Sequence, residues 1–249
     1  MSQTQIKFIQ SLSRQKYRKA HNAYLVEGSK NAKEWLASEQ KIKIIAALPE
    51  WLAEHEAEIA RQPEAIVLSL KEFELEKIST LKTPQSVVLV VEKPAIKVVK
   101  IPNNKWSLYL EEVKDPGNMG TIIRIADWFG IQQVFYSENC VEIYNPKVVQ
   151  ASMGSLIRVA TLPYPVEQLF ADISPEQLPL YAASLEGNDI KSFPVRNLIP
   201  GVMAMGNESL GLSPTLQNHA HHKLKIPGKG GAESLNVAVA TGILCSWLT

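Results

Sequence analysis

With 249 residues, 45% of them hydrophobic, the chain is long enough to bury one large or two modest cores, which argues against a disordered protein. Cys140 and Cys245 stand far apart with no Cys-x-x-Cys spacing, which suggests neither a disulfide framework nor a thiolate metal site and fits a reducing, cytosolic compartment. Formal net charge is only +1, Met1–Gln10 has no apolar core of a signal sequence, and no run approaches the roughly 18 apolar residues of a membrane span, so a protein that is neither exported nor membrane-bound is expected.

The charge is unevenly distributed. From Lys7 to Lys43 there are nine Lys/Arg against three acids, and from Glu50 to Glu92 the sign reverses. A basic segment in a neutral chain suits a phosphate-rich partner or a solvated helix face, and charge alone does not decide between them. Ile6–Leu12 and Ala23–Ser38 read as helical pieces around the basic cluster Arg14-Gln-Lys-Tyr-Arg-Lys19. Apolar runs at Ile42–Leu48, Ala65–Leu68 and Val87–Val91 alternate with helix-like Pro49–Arg61 and Leu70–Leu81, which makes residues 1–92 a small α/β domain. Lys93–Lys105 holds two prolines and two asparagines without period and reads as a linker.

Residues 106–249 change to regular strand–helix alternation. Strands are expected at Trp106–Glu112, Gln133–Ser137, Leu156–Thr161, Leu180–Ser184, Val202–Met205 and Lys223–Ile226, and helices at Thr121–Phe129, Pro146–Ser152, Pro214–His222 and Ser234–Leu248. This pattern predicts a mostly parallel sheet with helices on both faces and ligands at the carboxyl ends of its strands.

Three strand ends run into glycine-bearing loops. Asp115-Pro-Gly-Asn-Met-Gly120 precedes a helix carrying Arg124, whose partner is either Asp127 or an external anion. Met205-Gly-Asn-Glu-Ser-Leu-Gly-Leu-Ser213 sets Glu208 between Gly206 and Gly211, and Ser213-Pro214 reads as a helix cap followed by proline at the first helical position. Ile226-Pro-Gly-Lys-Gly-Gly-Ala-Glu-Ser-Leu-Asn236 opens the last helix; Ser234 reads as its cap, and Asn236 in an apolar helix needs a hydrogen-bond partner. His219, His221 and His222 lack a matching carboxylate or cysteine set, so no metal is expected.

In order and spacing the three loops resemble the motifs of SpoU/TrmH RNA methyltransferases, of the SPOUT class: Asn118-Met-Gly120-Thr-Ile-Ile-Arg124, Gly206-Asn-Glu208-Ser-Leu-Gly211-Leu-Ser213, and Ile226-Pro-Gly228 running into Ser234-Leu-Asn236. The resemblance covers the second half of the chain. Tyr24-Leu-Val-Glu-Gly28, behind the basic cluster, is similar to the RNA-binding domain many members carry in front. The resemblance implies a carboxyl-terminal trefoil knot, a cytoplasmic homodimer, and transfer of a methyl group from S-adenosylmethionine to a ribose 2′-hydroxyl of tRNA or rRNA. By the same resemblance Arg124 is catalytic, supported by Asn118, Glu208, Ser234 and Asn236. The cofactor would be held by Ser184, Leu185, Glu186, Gly187, Met205, Gly206, Asn207, Ile226 and Leu235. RNA docking is assigned to Arg14, Lys16, Tyr17, Arg18 and Lys19. Two other readings stay open at this point: a nucleotide-binding enzyme using Gly117–Gly120 as a phosphate loop, and a non-catalytic RNA-binding protein with the same fold.

Overall fold

A computed structural model describes residues 1–95, 100–174, 176–193 and 198–248; residues 96–99 of the expected linker lie outside the described residues. The contacts divide the chain into two compact units, Met1–Ala95 with Glu142–Ile157, and Ile96–Val141 with Arg158–Thr249. This differs from a single cut at the linker, because residues 142–157 count with the first unit.

In the first unit α1 (Gln3–Ser11) and α2 (Gln15–Ala20) precede β1 (Ala23–Glu27), α3 (Ser29–Leu36), β2 (Ile42–Ala47), α4 (Pro49–Glu54), α5 (Glu56–Ile59), β3 (Ile66–Ser69), α6 (Glu72–Ile78) and β4 (Val87–Glu92). The sheet order is β1-β4-β2-β3, with β4 antiparallel to both neighbours and β2 parallel to β3. Side chains alternate across a strand, and β4 shows it: Val87, Leu89 and Val91 pack with Trp35 and Trp51, while Val88 and Val90 pack with Ile6, Ile9, Leu75 and Ile78. Both faces are therefore covered. That explains one correction, since Ala23–Glu27, expected to be helical, is a strand buried along its whole length. A strand buried on both faces shows a continuous apolar run rather than a polar–apolar alternation.

The second unit begins with β5 (Ser107–Leu110), α7 (Pro116–Trp128) and β6 (Gln133–Tyr136). Residues 142–157, with α8 (Pro146–Ser152), then join the first unit, where Val149 completes the Trp35 cluster. The second unit resumes with β7 (Ala160–Pro163), α9 (Val166–Asp172), β8 (Leu180–Asp189), β9 (Val202–Met205), α10 (Pro214–His219), β10 (His222–Lys225) and α11 (Val237–Leu248). Its sheet is parallel throughout, in the order β10-β8-β9-β5-β6-β7. Every residue of β5 and β9 is buried, so this sheet too is covered on both faces. The strand expected at Leu156–Thr161 is displaced: Ser155–Ile157 forms a single 3₁₀ turn and β7 starts at Ala160. No helix among the described residues is long and apolar enough to cross a membrane.

Candidate active site

The carboxyl ends of β5, β8, β9 and β10 lie along one edge of the parallel sheet, where the three glycine-bearing loops begin. Asp115 caps α7 by accepting from the Asn118 amide at 2.8 Å, and Pro116 occupies the first helical position, where a missing N–H costs nothing. The loop after β9 closes on itself through reciprocal Asn207–Gly211 backbone bonds, with Asn207 Oδ1 accepting from Ser209 and Leu210 amides. Gly206 has no room for a side chain, because an added Cβ would meet the Gly211 and Leu212 backbone at 2.2–2.4 Å.

Glu208 ties this loop to the first. Its Oε1 accepts from the Asp115 amide and from Asn118 Nδ2, both at 3.1 Å, and its Oε2 accepts from the Lys114 amide at 3.3 Å. Desolvation pushes the carboxyl up, but the Asn118 and backbone N–H donors outweigh it, and the net shift is downward. Asn118 in turn uses Oδ1 to accept from Asn236 Nδ2 at 2.8 Å. Asn236 Oδ1 accepts from the Ala238 and Val239 amides, so Asn236 is the cap of α11. The helix therefore starts at Val237 and not at Ser234, and the expectation that Ser234 caps it is corrected. Ser234 is exposed and forms no hydrogen bond among the described residues.

One chain of hydrogen bonds thus joins the three loops: Lys114–Asp115 backbone, Glu208, Asn118, Asn236. Arg124 stands apart from it. It is exposed on α7 and forms no hydrogen bond or ion pair among the described residues, because Asp127 is taken by Arg158, with Nε at 2.9 Å. Glu111 went unnoticed in the sequence: its carboxylate accepts from the Ser213 amide at 2.6 Å and hydroxyl at 2.7 Å and so fixes the far end of the second loop. Asn207, expected at the cofactor, also donates to the Glu112 carbonyl at 2.8 Å.

The remaining expected cofactor residues cluster by topology. The ladder between β8 and β10 jumps from Ala182 opposite Lys223 to Asn188 opposite Leu224, so residues 183–187 stand outside the register. Ser184, Leu185, Glu186 and Gly187 all lie in this excursion. Ser184 Oγ contacts Gln217 of α10 at 3.3 Å, and an added Cβ at Gly187 would strike the Lys223–Leu224 backbone of β10 at 2.6–2.7 Å. Met205 is buried and Gly206 follows it at the end of β9, while Ile226 follows β10 and Leu235 precedes α11. Leu185, Leu210 and Leu235 are exposed large apolar side chains in these loops. A ligand with an apolar ring system and a polar backbone-seeking edge fits that combination.

The histidines are engaged elsewhere. His221 Nδ1 accepts from the Leu180 amide at 2.9 Å, and His222 stacks on Tyr181 with centroids 4.9 Å apart.

In the first unit Arg14, Lys16 and Lys19 are exposed and Tyr17 is half-buried. Arg18 is different, and its place in the RNA-docking set is corrected. It is 2% exposed, donates to the Leu12 and Ser13 carbonyls at 2.8 Å, and pairs with Glu142. A guanidinium with all three nitrogens hydrogen-bonded inside the protein is a structural residue.

Residues 105–246 match the family model described as the SpoU rRNA Methylase family, and residues 3–89 match the MRM3-like substrate binding domain. The chain is 28% identical over 240 residues to the 23S rRNA (guanosine(2553)-2′-O)-methyltransferase RlmP of Bacillus subtilis (strain 168), covering 96% of this chain and 93% of that one. A solved TrmH-family structure from Porphyromonas gingivalis is 37% identical with a TM-score of 0.88, over 100% of this chain and 98% of the other. The AdoMet-bound rRNA methyltransferase from Sinorhizobium meliloti is 28% identical with a TM-score of 0.88, over 100% and 95%.

Proposed function

Because the chain belongs to the SpoU rRNA methylase family, we propose that it transfers the methyl group of S-adenosylmethionine to a ribose 2′-hydroxyl, and that its substrate is ribosomal RNA. The observation that carries this reading is the hydrogen-bonded chain Glu208–Asn118–Asn236, which draws three distant loops together on the helix that presents Arg124, a residue with no ion pair among the described residues. The relative matched over nearly its full length is named for a 2′-O-methylation of 23S rRNA.

The excursion at residues 183–187, the Met205–Gly206–Asn207 turn, Ile226 and Leu235 would hold the cofactor. When bound, S-adenosylmethionine supplies a methyl carbon already activated by its sulfonium, which leaves alignment and proton disposal to the protein. Arg124 supplies alignment: its fork grips a phosphate beside the target ribose through two parallel hydrogen bonds and fixes the 2′-oxygen. A guanidinium with a pKa above about 12 stays protonated, so it does not remove the hydroxyl proton; a phosphate oxygen or water does. Glu208, held below the usual carboxylate range, stays ionised and keeps the Lys114–Asp115 amides and Asn118 in place. It shapes the site from behind and does not touch substrate.

In the same reading two copies pair through the second unit. Trp128 at the end of α7 is 83% exposed and Val239 on α11 is 52% exposed, and Ile243, one turn further along α11, is exposed as well. Arg124 lies one turn before Trp128 on α7, so a partner covering this face would also border the reacting groups. The carboxyl-terminal segment forms the trefoil knot, a reading supported by the return of the last strand, β10, to pair with β8 rather than with β9. Cys140 and Cys245 form no disulfide among the described residues, which suits a cytoplasmic protein.

The test is incubation with methyl-labelled S-adenosylmethionine and either ribosomal or transfer RNA, followed by mapping of ribose methylation. Label at one 2′-oxygen of ribosomal RNA is expected; label on a base, or on transfer RNA only, overturns the proposal. Arg124→Lys keeps the charge and loses the fork, so kcat should fall roughly 100-fold with cofactor affinity unchanged. Near-normal turnover of Arg124→Lys would refute the phosphate-gripping role.

A further inference from the structure

The first unit contains a cavity of about 420 Å³ that the methyl-transfer reading does not use. It opens between the ends of α1, α2 and α6, and Lys7, Arg14, Tyr17, Lys77, Ser79 and Thr80 contribute to its lining. Its size lies within the range of about 300–1,000 Å³ typical of small-ligand sites. No acidic side chain lines it. Neither Lys7 nor Arg14 forms an ion pair among the described residues, and Lys77 rests only over the Phe73 ring, 5.1 Å from its centroid. Three cations thus contribute to the lining, and none of them forms an ion pair among the described residues.

The frame around them is fixed. Gln10 Nε2 donates to the Lys77 carbonyl at 2.8 Å and joins α1 to α6. The buried Glu27 accepts from Ser79 Oγ at 2.6 Å, from the Thr80 amide at 3.1 Å and from Thr80 Oγ1, so the turn after α6 is held in place and the carboxylate oxygens are occupied. Arg18 contributes from behind. The carboxyl end of α1 would carry a partial negative charge that repels an anion, but the Arg18 guanidinium caps its Leu12 and Ser13 carbonyls. The carboxyl end of α6 also borders the cavity, and there Gln10 Nε2 engages the Lys77 carbonyl; a cavity that collects cations and has donors on both of these helix ends suits an anion. Tyr17, whose ring runs nearly parallel to His21 at 6.4 Å, adds an aromatic surface.

We propose that this cavity holds one unstacked nucleotide of single-stranded RNA, with its phosphate on Lys7, Arg14 and Lys77 and its base against Tyr17. A duplex does not enter a cavity of this size, whereas a splayed nucleotide presents both the charge and the flat face that the lining matches. The inference rests on the reading that the protein acts on RNA, and it adds a specific single-strand site, with Lys7 and Lys77, to a basic surface. Lys16 and Lys19 do not line the cavity.

The test uses the full-length protein, a fluorescein-labelled single-stranded RNA oligonucleotide and a duplex of equal length, with anisotropy read at rising salt. Tyr17→Ala should weaken single-strand binding about 5- to 100-fold and leave duplex binding unchanged, and Tyr17→Phe should restore it. The variant carrying Lys7→Ala, Arg14→Ala and Lys77→Ala should lose about 0.7 from the slope of log affinity against log salt, the value for one phosphate contact on a single strand. Unchanged single-strand binding in both variants overturns the proposal, as does an equal loss on duplex from Tyr17→Ala. Uridine monophosphate or inorganic phosphate competing as well as the oligonucleotide would make this a free-anion site, and equal competition by poly-glutamate an acidic-peptide site; either result also overturns it. Calorimetry with S-adenosylmethionine on the same preparations separates the two readings. A wild-type protein that fails to bind the cofactor removes the methyltransferase reading, while intact cofactor binding with no variant effect removes the cavity alone.

Discussion

Glu208 and Arg124 are the obvious ion pair of this site, and they do not pair. Three N–H donors engage the Glu208 carboxylate and Arg158 takes Asp127, so among the described residues the Arg124 fork has no acidic partner and can take a group from outside. That separation is functional if the outside group is a phosphate, since an internal carboxylate would compete with it. A second residue gives this unit a pH dependence. His221 is held below the ordinary histidine range by desolvation and, secondarily, by the neighbouring His222. Its Nδ1 accepts a hydrogen bond from the Leu180 amide, which only the neutral ring can do. The folded pKa lies below the unfolded value of about 6.5, so this stabilisation is fully present above pH ~6.5 and is lost as pH falls through the lowered folded value. The melting temperature should drop across that window, and His221→Gln, which keeps an acceptor without titrating, should flatten the drop. An identical pH profile in the two proteins would show that His221 is not responsible.

At the scale of elements, Asn236 combines two jobs that the sequence blurred. An asparagine near an apolar helix signals a needed hydrogen bond, but the sequence places the helix start three residues before the observed one, because Ser234 is also a good cap and local chemistry cannot choose between two caps. The fold chose Asn236, whose amide also reaches Asn118, 118 residues away in sequence. Asn236→Ala should cost about 1 kcal/mol through the lost cap and reduce methyl transfer as well. Asn236→Asp keeps the capping oxygen and loses the donor, so its melting temperature should stay near wild type while turnover falls as in Asn236→Ala. Equal turnover in all three proteins would remove the Asn118 link from the mechanism. The same distinction explains what was legible elsewhere. The loops carrying Asn118, Gly206, Glu208 and Asn236, and strand β9 with its bounds, could be read from glycine, proline and cap chemistry. Strand β1 could not, because burial on both faces erases the alternation that marks a strand. The role of Glu111 and the burial of Arg18 depend on partners more than 100 residues away, Ser213 and Glu142, and no local pattern reports them.

For the molecule as a whole, contiguity in sequence and contiguity in space part company. The first unit needs residues 142–157: Val149 fills the Trp35 cluster, Gln150 accepts from Asn31 at 3.1 Å, and Glu142 pairs with both Arg18 and Lys93. A fragment ending at residue 95 would leave Arg18 buried without its carboxylate, a loss of about 3–5 kcal/mol, and a hole where Val149 sits. Urea unfolding should find that fragment far less stable than the same fragment with residues 142–157 joined by a flexible linker; equal midpoints would refute this division of the chain. The second unit has the opposite problem, apolar surface left over. Trp128, Val239 and Ile243 carry exposed side chains on two helices that pack against each other, α7 and α11, and a monomer gains nothing by showing them to water. Under the dimer reading this surface is half of a self-complementary interface, and one substitution appears twice in it. Trp128→Glu should therefore yield a monomer in analytical ultracentrifugation and, since Arg124 is one turn away on the same helix, reduce methyl transfer. Ile243→Glu, which lies on the other helix two turns past Asn236, should do the same. A wild-type protein that sediments as a monomer, or a monomeric variant with full activity, would separate catalysis from assembly and leave the exposed tryptophan to another role.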